Sequence, residues 1–579
     1  MVKTILTSIF LLLVLSCESY GQDQSSTIIE ESERFFIDGM KDSNIVGVSV
    51  AIISDGKVLW KKGFGDSDKE EKMPMTEETV INIGSITKTF TALSIMQLNE
   101  QGIMDINEPL KQYFPQFNPQ TDGIDLNKVS VKSVITHSSG IQNDVWKNAE
   151  LTAAKYTDVV DYINETYLMY PSGLVGLYSN SGYNILGHTI KNLSGSEYDE
   201  YVKRNIFSPL NMNHSGFAMD QLEGRTKLYS KGKVVKEYEL RDIASGGIYS
   251  NLQDMLKYSL ALIHSYHGKD SSVVKPNTIR EMFTLQNEDL LIETNKKGLG
   301  WFMFKNDSSF AVYHSGSAGF AHAKLLIIPE QKFAVVAMTN SAEGGKLIEE
   351  FCFSFLDDHG LKTSNIVPTK SIGKISSGDI IHNISDEVLL KHTGNYAELT
   401  SHTSIELSNG KLILKRNEED YHLLPLSQTE FTPYKIENGD TIALKEQQYI
   451  FKDFEDYHIL FRRTKDSETP FGYKLKAIDT ELWNLRTGAY EQFGDKMLVG
   501  DSEFTDAELD IEKNNVLYVT IRYIGGQMKL PLNVINQEYA VTGGLSTNFG
   551  CNVRFSENQE HYILDFNGLT FRKEKTTNR

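Results

Sequence analysis

At 579 residues the chain exceeds what one hydrophobic core usually organises, so two to four domains are expected. A composition of 40% apolar, 23% charged and 10% aromatic residues, with 43 Gly and 13 Pro, excludes collagen-like, coiled-coil, disordered and polytopic membrane chains. Fifty-eight basic against 77 acidic residues leave −19 with no long basic run, which argues against a nucleic-acid partner, because counterion release needs a cationic face.

The chain opens on an uncharged apolar run. Lys3 precedes Thr4 to Ser16, too short for a bilayer-spanning helix, which takes ~20 apolar residues. A secretory signal peptide over residues 1–21, cleaved at Ser19-Tyr20-Gly21, fits better. Val14-Leu15-Ser16-Cys17 also resembles a bacterial lipobox, which would end the signal at Ser16 and put a lipid anchor on Cys17. Either reading exports the protein, to the periplasm, the medium or a lipid anchor at the cell envelope, with no transmembrane span in the mature chain.

A helix is expected from Ile28 to Asp42, then a hairpin over Ile45 to Gly65, where Ser54-Asp55-Gly56-Lys57 separates two apolar runs. Gly84-Ser85 then precedes a long apolar helix whose buried face includes Ala92, Ile95 and Met96. Ser85 thus sits at a helix N-terminus, and Lys88, three residues on, shares its face. A serine hydroxyl needs a nearby base to become a nucleophile, and a partly desolvated lysine can supply it. Ser-x-x-Lys alone is a weak signal, equally read as an N-cap serine beside an exposed lysine.

Tyr178-Ser179-Asn180 lies in a loop before a helix, and residues two apart in an extended segment face the same way. His264 and His267 have no accompanying carboxylate pattern and are read as solvent-facing, so no metal is expected. Val312 to Gly319 contains His314-Ser315-Gly316-Ser317, a Gly-rich edge strand that a substrate backbone could approach. A second hairpin follows, Leu325 to Ile328 and Phe333 to Met338 about Pro329-Glu330-Gln331-Lys332, and then a helix from Lys346 to Asp357. Cys352 in that helix and the distant Cys551 are read as buried and unpaired. Hairpins near both ends with helices between them predict an α+β domain, residues 25–361, in which N- and C-terminal strands share one antiparallel sheet flanked by helices.

Residues 362–383 read as a linker, and beyond them short alternating segments predict two small all-β, barrel-like domains, 384–465 and 477–575. Leu390-Lys391-His392-Thr393-Gly394-Asn395-Tyr396 recurs as Leu485-Arg486-Thr487-Gly488-Ala489-Tyr490. Each copy is read as ending in a similar strand, Ile459 to Arg463 and Leu569 to Lys573. There is no G-x-S-x-G elbow and no Walker or Rossmann glycine pattern, and no cofactor is implied.

Taken together, Ser85-Ile86-Thr87-Lys88, Tyr178-Ser179-Asn180 and His314-Ser315-Gly316 resemble, in order and spacing, the Ser-x-x-Lys, Tyr-x-Asn and Lys/His-x-Gly motifs of the penicillin-recognising serine hydrolases. That family contains class C β-lactamases, D-Ala-D-Ala carboxypeptidases, D-aminopeptidases and esterases. Two weaker stretches, Ile135 to Gly140 and Ala244 to Ser250, add to the resemblance; His137 is read as part of a structural loop. The resemblance implies that Ser85 forms an acyl-enzyme while Lys88 and Tyr178 share the proton transfers. Asn180 would bind the amide or ester side of the substrate, and His314 would stand near its leaving group or carboxylate. The amides of Ser85 and Ser317 would form the oxyanion hole, with Ser315 and Gly316 lining the same strand.

Tyr-x-Asn points to the class C and carboxypeptidase branch, and a histidine at 314 leans from a dedicated β-lactamase toward peptidases and esterases. The expected substrate is a small peptide, amide or ester, including peptidoglycan-derived ones. The alternatives are a class C-like β-lactamase and a non-catalytic cell-wall-binding or sensor protein.

Overall fold

The computed structural model describes residues 25–147, 153–292, 295–361 and 384–575, the last with breaks at 417–418, 438–439, 444–446, 466, 494–497, 500–501 and 547–548. The residues read as an export signal, Cys17 among them, and residues 362–383, read as a linker, lie outside the described residues. The contacts divide the chain into two compact units. One takes the described residues up to Gln97, Glu197–Thr284 and Trp301 onward to 361; the other takes Leu98–Ser196, Leu285–Gly300 and the described residues from 384.

In the first unit the expected hairpin is Gly47–Ser54 and Lys57–Asp68. Asp55 and Gly56 close it with φ of 52° and 72°, the left-handed pair that a two-residue turn requires. Gly47–Ser54 pairs antiparallel with Phe333–Thr339, so strands from both ends of the α+β domain share one sheet. The order runs Met73–Pro74, Lys57–Asp68, Gly47–Ser54, Phe333–Thr339, Ala321–Ile328, Phe310–Ala318, Phe302–Lys305. The central strands are nearly all apolar because both faces are covered. The 25–40 helix and Gly344–Asp358 bury Phe36, Phe351, Cys352 and Phe355 against Val48, Val50, Ile52 and Val335. The Leu252–Tyr266 helix packs on the other side.

In the second unit the C-terminal half is two closed eight-stranded antiparallel barrels. The first begins with Gly394–Ala397 and closes where Tyr396 pairs with Lys474; the second begins with Gly488–Gln492 and closes where Glu491 pairs with Arg572. Closure leaves each ring without a free edge. The first barrel therefore needs Glu468–Lys474 as its last strand, which a boundary at 465 would remove.

The repeat is structural at its start. Each barrel opens with a short helix, a glycine at φ 131° (Gly394) or 117° (Gly488), and a buried tyrosine whose hydroxyl donates to the carbonyl four residues back. These bonds are Tyr396 to His392 at 2.9 Å and Tyr490 to Arg486 at 2.7 Å. The proposed equivalence of the end strands does not hold. Leu569–Glu574 is the last strand of its ring, whereas Ile459 to Arg463 lies in Tyr457–Thr464, the last but one. The counterpart of Lys573 is Lys474: their amines bind the equivalent carbonyls of Leu485 and Lys391. The similar wording of the two strands had masked a shift of one position around the ring.

Cys352 and Cys551 are free and buried, and burial pushes the Cys352 thiol up to about 12. His264 and His267 are half-buried rather than solvent-facing, and His267 Nε2 donates to Pro329 O at 2.8 Å. Among the described residues no three His, Cys, Asp or Glu side chains are grouped to hold a metal, and no helix is long and apolar enough to cross a membrane.

Candidate active site

Ser85 occupies a single 3-10 turn, Gly84–Ile86, that runs into the Thr87–Glu100 helix. The turn is pinned on both sides. Gly84 N donates to Asn82 Oδ1 at 2.7 Å and Ile83 N to Ile248 O at 2.9 Å, while Ile248 N donates to Thr87 Oγ1 at 3.1 Å. Ile81–Asn82 pairs with Tyr249–Ser250, so the Ala244 to Ser250 stretch frames the serine. The Thr87–Glu100 helix is buried on nearly every side, beyond the single face expected for Ala92, Ile95 and Met96.

Ser85 is half-buried and Lys88 wholly buried. Lys88 Nζ stands 3.1 Å from Ser85 Oγ and donates to Ser245 O at 2.8 Å. One helical turn of spacing brings the amine to the hydroxyl, and the Ser245 carbonyl holds it there. This is the reach a general base needs.

The His314 segment meets the same turn. Phe310–Ala318 pairs with Ala321–Ile328 over most of its length, but with Phe302–Lys305 only up to Tyr313, so it becomes an edge strand from His314 on. A Cβ at Gly316 would fall 1.9 Å from Ile83 O, and one at Gly84 2.4 Å from Ser317 N. Glycine at both positions lets the two backbones touch, which places the Ser317 amide against the Ser85 turn. Behind the strand, buried Lys324 donates to Ser315 Oγ at 2.5 Å and to Glu349 Oε2 at 2.6 Å.

His314 is buried, and its Nδ1 lies 2.7 Å from Ser315 O. A carbonyl only accepts, so Nδ1 carries the hydrogen and Nε2 is an acceptor. Burial is the main cause that pushes its pKa down to about 3. His314 is therefore neutral at ordinary pH and offers no cation to a leaving group or carboxylate beside it.

The same burial gives a pH dependence. In the unfolded chain His314 titrates near 6.5 and in the folded protein near 3, so the stability from keeping it neutral is complete above 6.5 and is lost as pH falls toward 3. The slope is up to about 1.4 kcal/mol per pH unit. His392 in the first barrel, pushed down to about 4 mainly by burial, acts in the same direction. The melting temperature should fall from pH 6.5 to 4, less steeply in His314→Gln; equal slopes in the two proteins would mean that His314 protonates freely.

Tyr178, Ser179 and Asn180 belong to the second unit. Ser179 is the N-cap of the Asn180–Ser194 helix, accepting from Gly182 N at 2.8 Å and donating to Gln142 O at 2.6 Å. Asn180 is thus the first helical residue, so the alternation expected of a loop ends at Ser179. Asn180 N and Ser181 N donate to Asn143 O at 2.7 and 3.1 Å, and Asn180 Nδ2 to Asp144 Oδ1 at 2.8 Å. His137, at φ 61°, accepts from Ser179 N through Nδ1 at 3.0 Å, and its ring centroid lies 4.4 Å from that of Tyr178. Through that bond His137 holds the main chain of the motif. Sequence reasoning missed Gln142, Asn143, Asp144 and Lys324. The first three follow Gly140 and Ile141 but match no catalytic pattern.

A family model described as Beta-lactamase matches residues 33–350. "Protein flp" of Staphylococcus aureus is 26% identical over 344 residues, covering 55% of this chain. The matched part is 63% of that relative's length. The penicillin-binding protein homologue of Pyrococcus abyssi, described as octameric, superposes with a TM-score of 0.50 at 24% identity, over 76% of this chain and 99% of that one. SurE gives 0.52 at 20% identity, over 76% and 98%. The family match spans more than half the chain and contains the Ser85 turn, its lysine and the His314 strand: the chain belongs to the beta-lactamase family of serine hydrolases.

Proposed function

We propose that the protein is an exported serine hydrolase that cleaves a small peptide, amide or ester through an acyl-enzyme on Ser85. The observation that carries this reading is the buried Lys88 amine 3.1 Å from the Ser85 hydroxyl, on a turn packed against the Ser317 amide. Ser85 Oγ adds to the carbonyl carbon as Lys88, acting as the neutral amine, takes its proton. The amides of Ser85 and Ser317 stabilise the oxyanion, a contribution of ~2.7–4 kcal/mol per donor in a comparable hydrolase. The tetrahedral centre collapses, the leaving amine or alcohol departs with a proton delivered by Lys88 and Tyr178, and water releases the acyl group by the reverse relay. Tyr178 is assigned to this relay, and Asn180 to substrate binding, from their motif.

Neutral His314, an acceptor at Nε2, supports an amide or ester substrate over one anchored by a carboxylate at this position. That favours a peptidase or esterase over a class C-like β-lactamase. Peptidoglycan-derived D-amino-acid amides remain within the substrate class.

The test is a panel of p-nitrophenyl esters, D-amino-acid amides, D-Ala-D-Ala peptides and nitrocefin, run on wild type and Ser85→Ala. Esters or D-amino-acid amides should be turned over fastest, with all turnover lost in the variant. Nitrocefin hydrolysed far above the rest would establish the β-lactamase reading. Binding of peptidoglycan without turnover of any substrate would establish the binder.

A further inference from the structure

The motif Tyr178-Ser179-Asn180 is held by residues that are themselves held by the second barrel. The link is residues 141–147, a strap running from His137's loop to the barrel. At one end Gln142 O and Asn143 O take the hydrogen bonds of Ser179 Oγ and of Asn180 N and Ser181 N. At the other, Trp146 is buried in the core of the second barrel. Its ring centroid lies 5.5 Å from Phe504 and 5.9 Å from Phe566, and its main-chain N donates to Asn567 O at 2.9 Å.

Between these ends the barrel grips the strap with a buried polar side chain. Asn552 Nδ2 donates to Gln142 Oε1 at 2.5 Å and to Tyr167 O at 2.9 Å, and Asn552 Oδ1 accepts from Tyr167 N at 2.8 Å. Asn143 N donates to Gly550 O at 3.4 Å. The segment leading into Tyr178 is also fixed by the barrels: Met169, Leu174 and Leu177 share a core with Ile459 and Phe461 of the first and Val541 of the second. Main chain and side chain on both sides of the motif therefore rest on barrel residues.

We propose that the second barrel is a scaffold of the catalytic site, with Asn552 and Trp146 as positioning residues that set the Tyr178-Ser179-Asn180 motif through the strap. This rests on the hydrolase reading above, in which that motif serves the Ser85 reaction. A catalytic group moved by about 1 Å loses on the order of 100-fold in rate, so a change in a barrel far along the chain is read out in kcat.

The experiment uses the full chain. Wild type, Asn552→Ala, Gln142→Ala, their double variant, Trp146→Ala, Trp146→Phe and Tyr490→Phe are compared for kcat and KM on the best ester. The rate at which a fluorophosphonate labels Ser85, and the melting temperature, are measured alongside. Asn552→Ala and Trp146→Ala should each lose about 10- to 100-fold in kcat with KM within about threefold, and Trp146→Phe should recover most of the loss. The Asn552/Gln142 double variant should be no worse than the more damaging single one, because both act through one contact. Tyr490→Phe removes a hydroxyl bonded to Arg486 O in the same barrel core and no hydrogen bond to the strap, and should keep its kcat. Unchanged kcat in Asn552→Ala, or a loss in Tyr490→Phe as large as in Asn552→Ala, overturns the scaffold role while leaving the hydrolase reading intact. If Trp146→Ala does not fold, the Asn552 and Gln142 series decides alone. Wild type that is neither labelled nor active removes the hydrolase reading, and the scaffold role with it.

Discussion

Lys88→Met should slow fluorophosphonate labelling of Ser85 by about 1,000-fold or more while the protein melts within a few degrees of wild type. The expected loss is large because the amine is the base assigned to the serine hydroxyl, 3.1 Å away and in a buried position that leaves little room for a substitute base. The stability change is small because two effects oppose each other. Methionine fills nearly the same volume and removes the cost of keeping a polar amine out of water, which favours the variant. The Ser245 carbonyl, however, loses the donor it holds at 2.8 Å, at a cost of about 1–3 kcal/mol. A charged lysine needed only for folding would give the opposite pattern, a lower melting temperature with labelling intact. Mass spectrometry of the labelled protein and a thermal melt distinguish the two, and wild-type labelling rates in Lys88→Met would end the assignment of Lys88 as the base.

What could be read in the sequence was what is local. The Asp55-Gly56 turn, the three-residue step from Ser85 to Lys88 and the alternation of the barrel strands are short-range patterns, and each fixes geometry within a turn or a strand pair. The sharing of one sheet by Gly47–Ser54 and Phe333–Thr339 followed from two apolar hairpins that each needed a partner. What could not be read was long-range and polar. Gln142 and Asn552 are 410 positions apart, and neither residue type announces a partner. Trp146 reads as an ordinary loop aromatic until Phe504 and Phe566 are seen around it. The misjudged end of the first barrel has the same origin. Tyr457–Thr464 resembles the closing strand of the second ring in its residues, but closure is decided by which strand pairs with Gly394–Ala397, and that is a fact of topology. His314 lies on the strand that meets the Ser85 turn, yet its charge state depends on burial, which a motif does not encode.

Gly316→Ala is the second large effect expected, and it separates main-chain from side-chain function in the His314 strand. The added methyl would stand 1.9 Å from Ile83 O and 3.2 Å from Ser85 N, and the first contact is with backbone held by the Ile83 to Ile248 hydrogen bond. Neither neighbour can rotate away as a flexible side chain would, so the strand and the serine turn must separate. Separation takes the Ser317 amide from the Ser85 turn and weakens the oxyanion site, where loss of one donor costs about 100- to 1,000-fold in kcat in a comparable hydrolase. Gly316→Ala should therefore lose about 100-fold or more in kcat on the best substrate of the panel and melt several degrees lower. Ser317→Ala, which keeps the amide and removes only an exposed hydroxyl, should lose less than tenfold. If the two variants fall equally, the Ser317 side chain rather than its amide is the working group; if neither falls, the close approach of strand and turn has no part in catalysis.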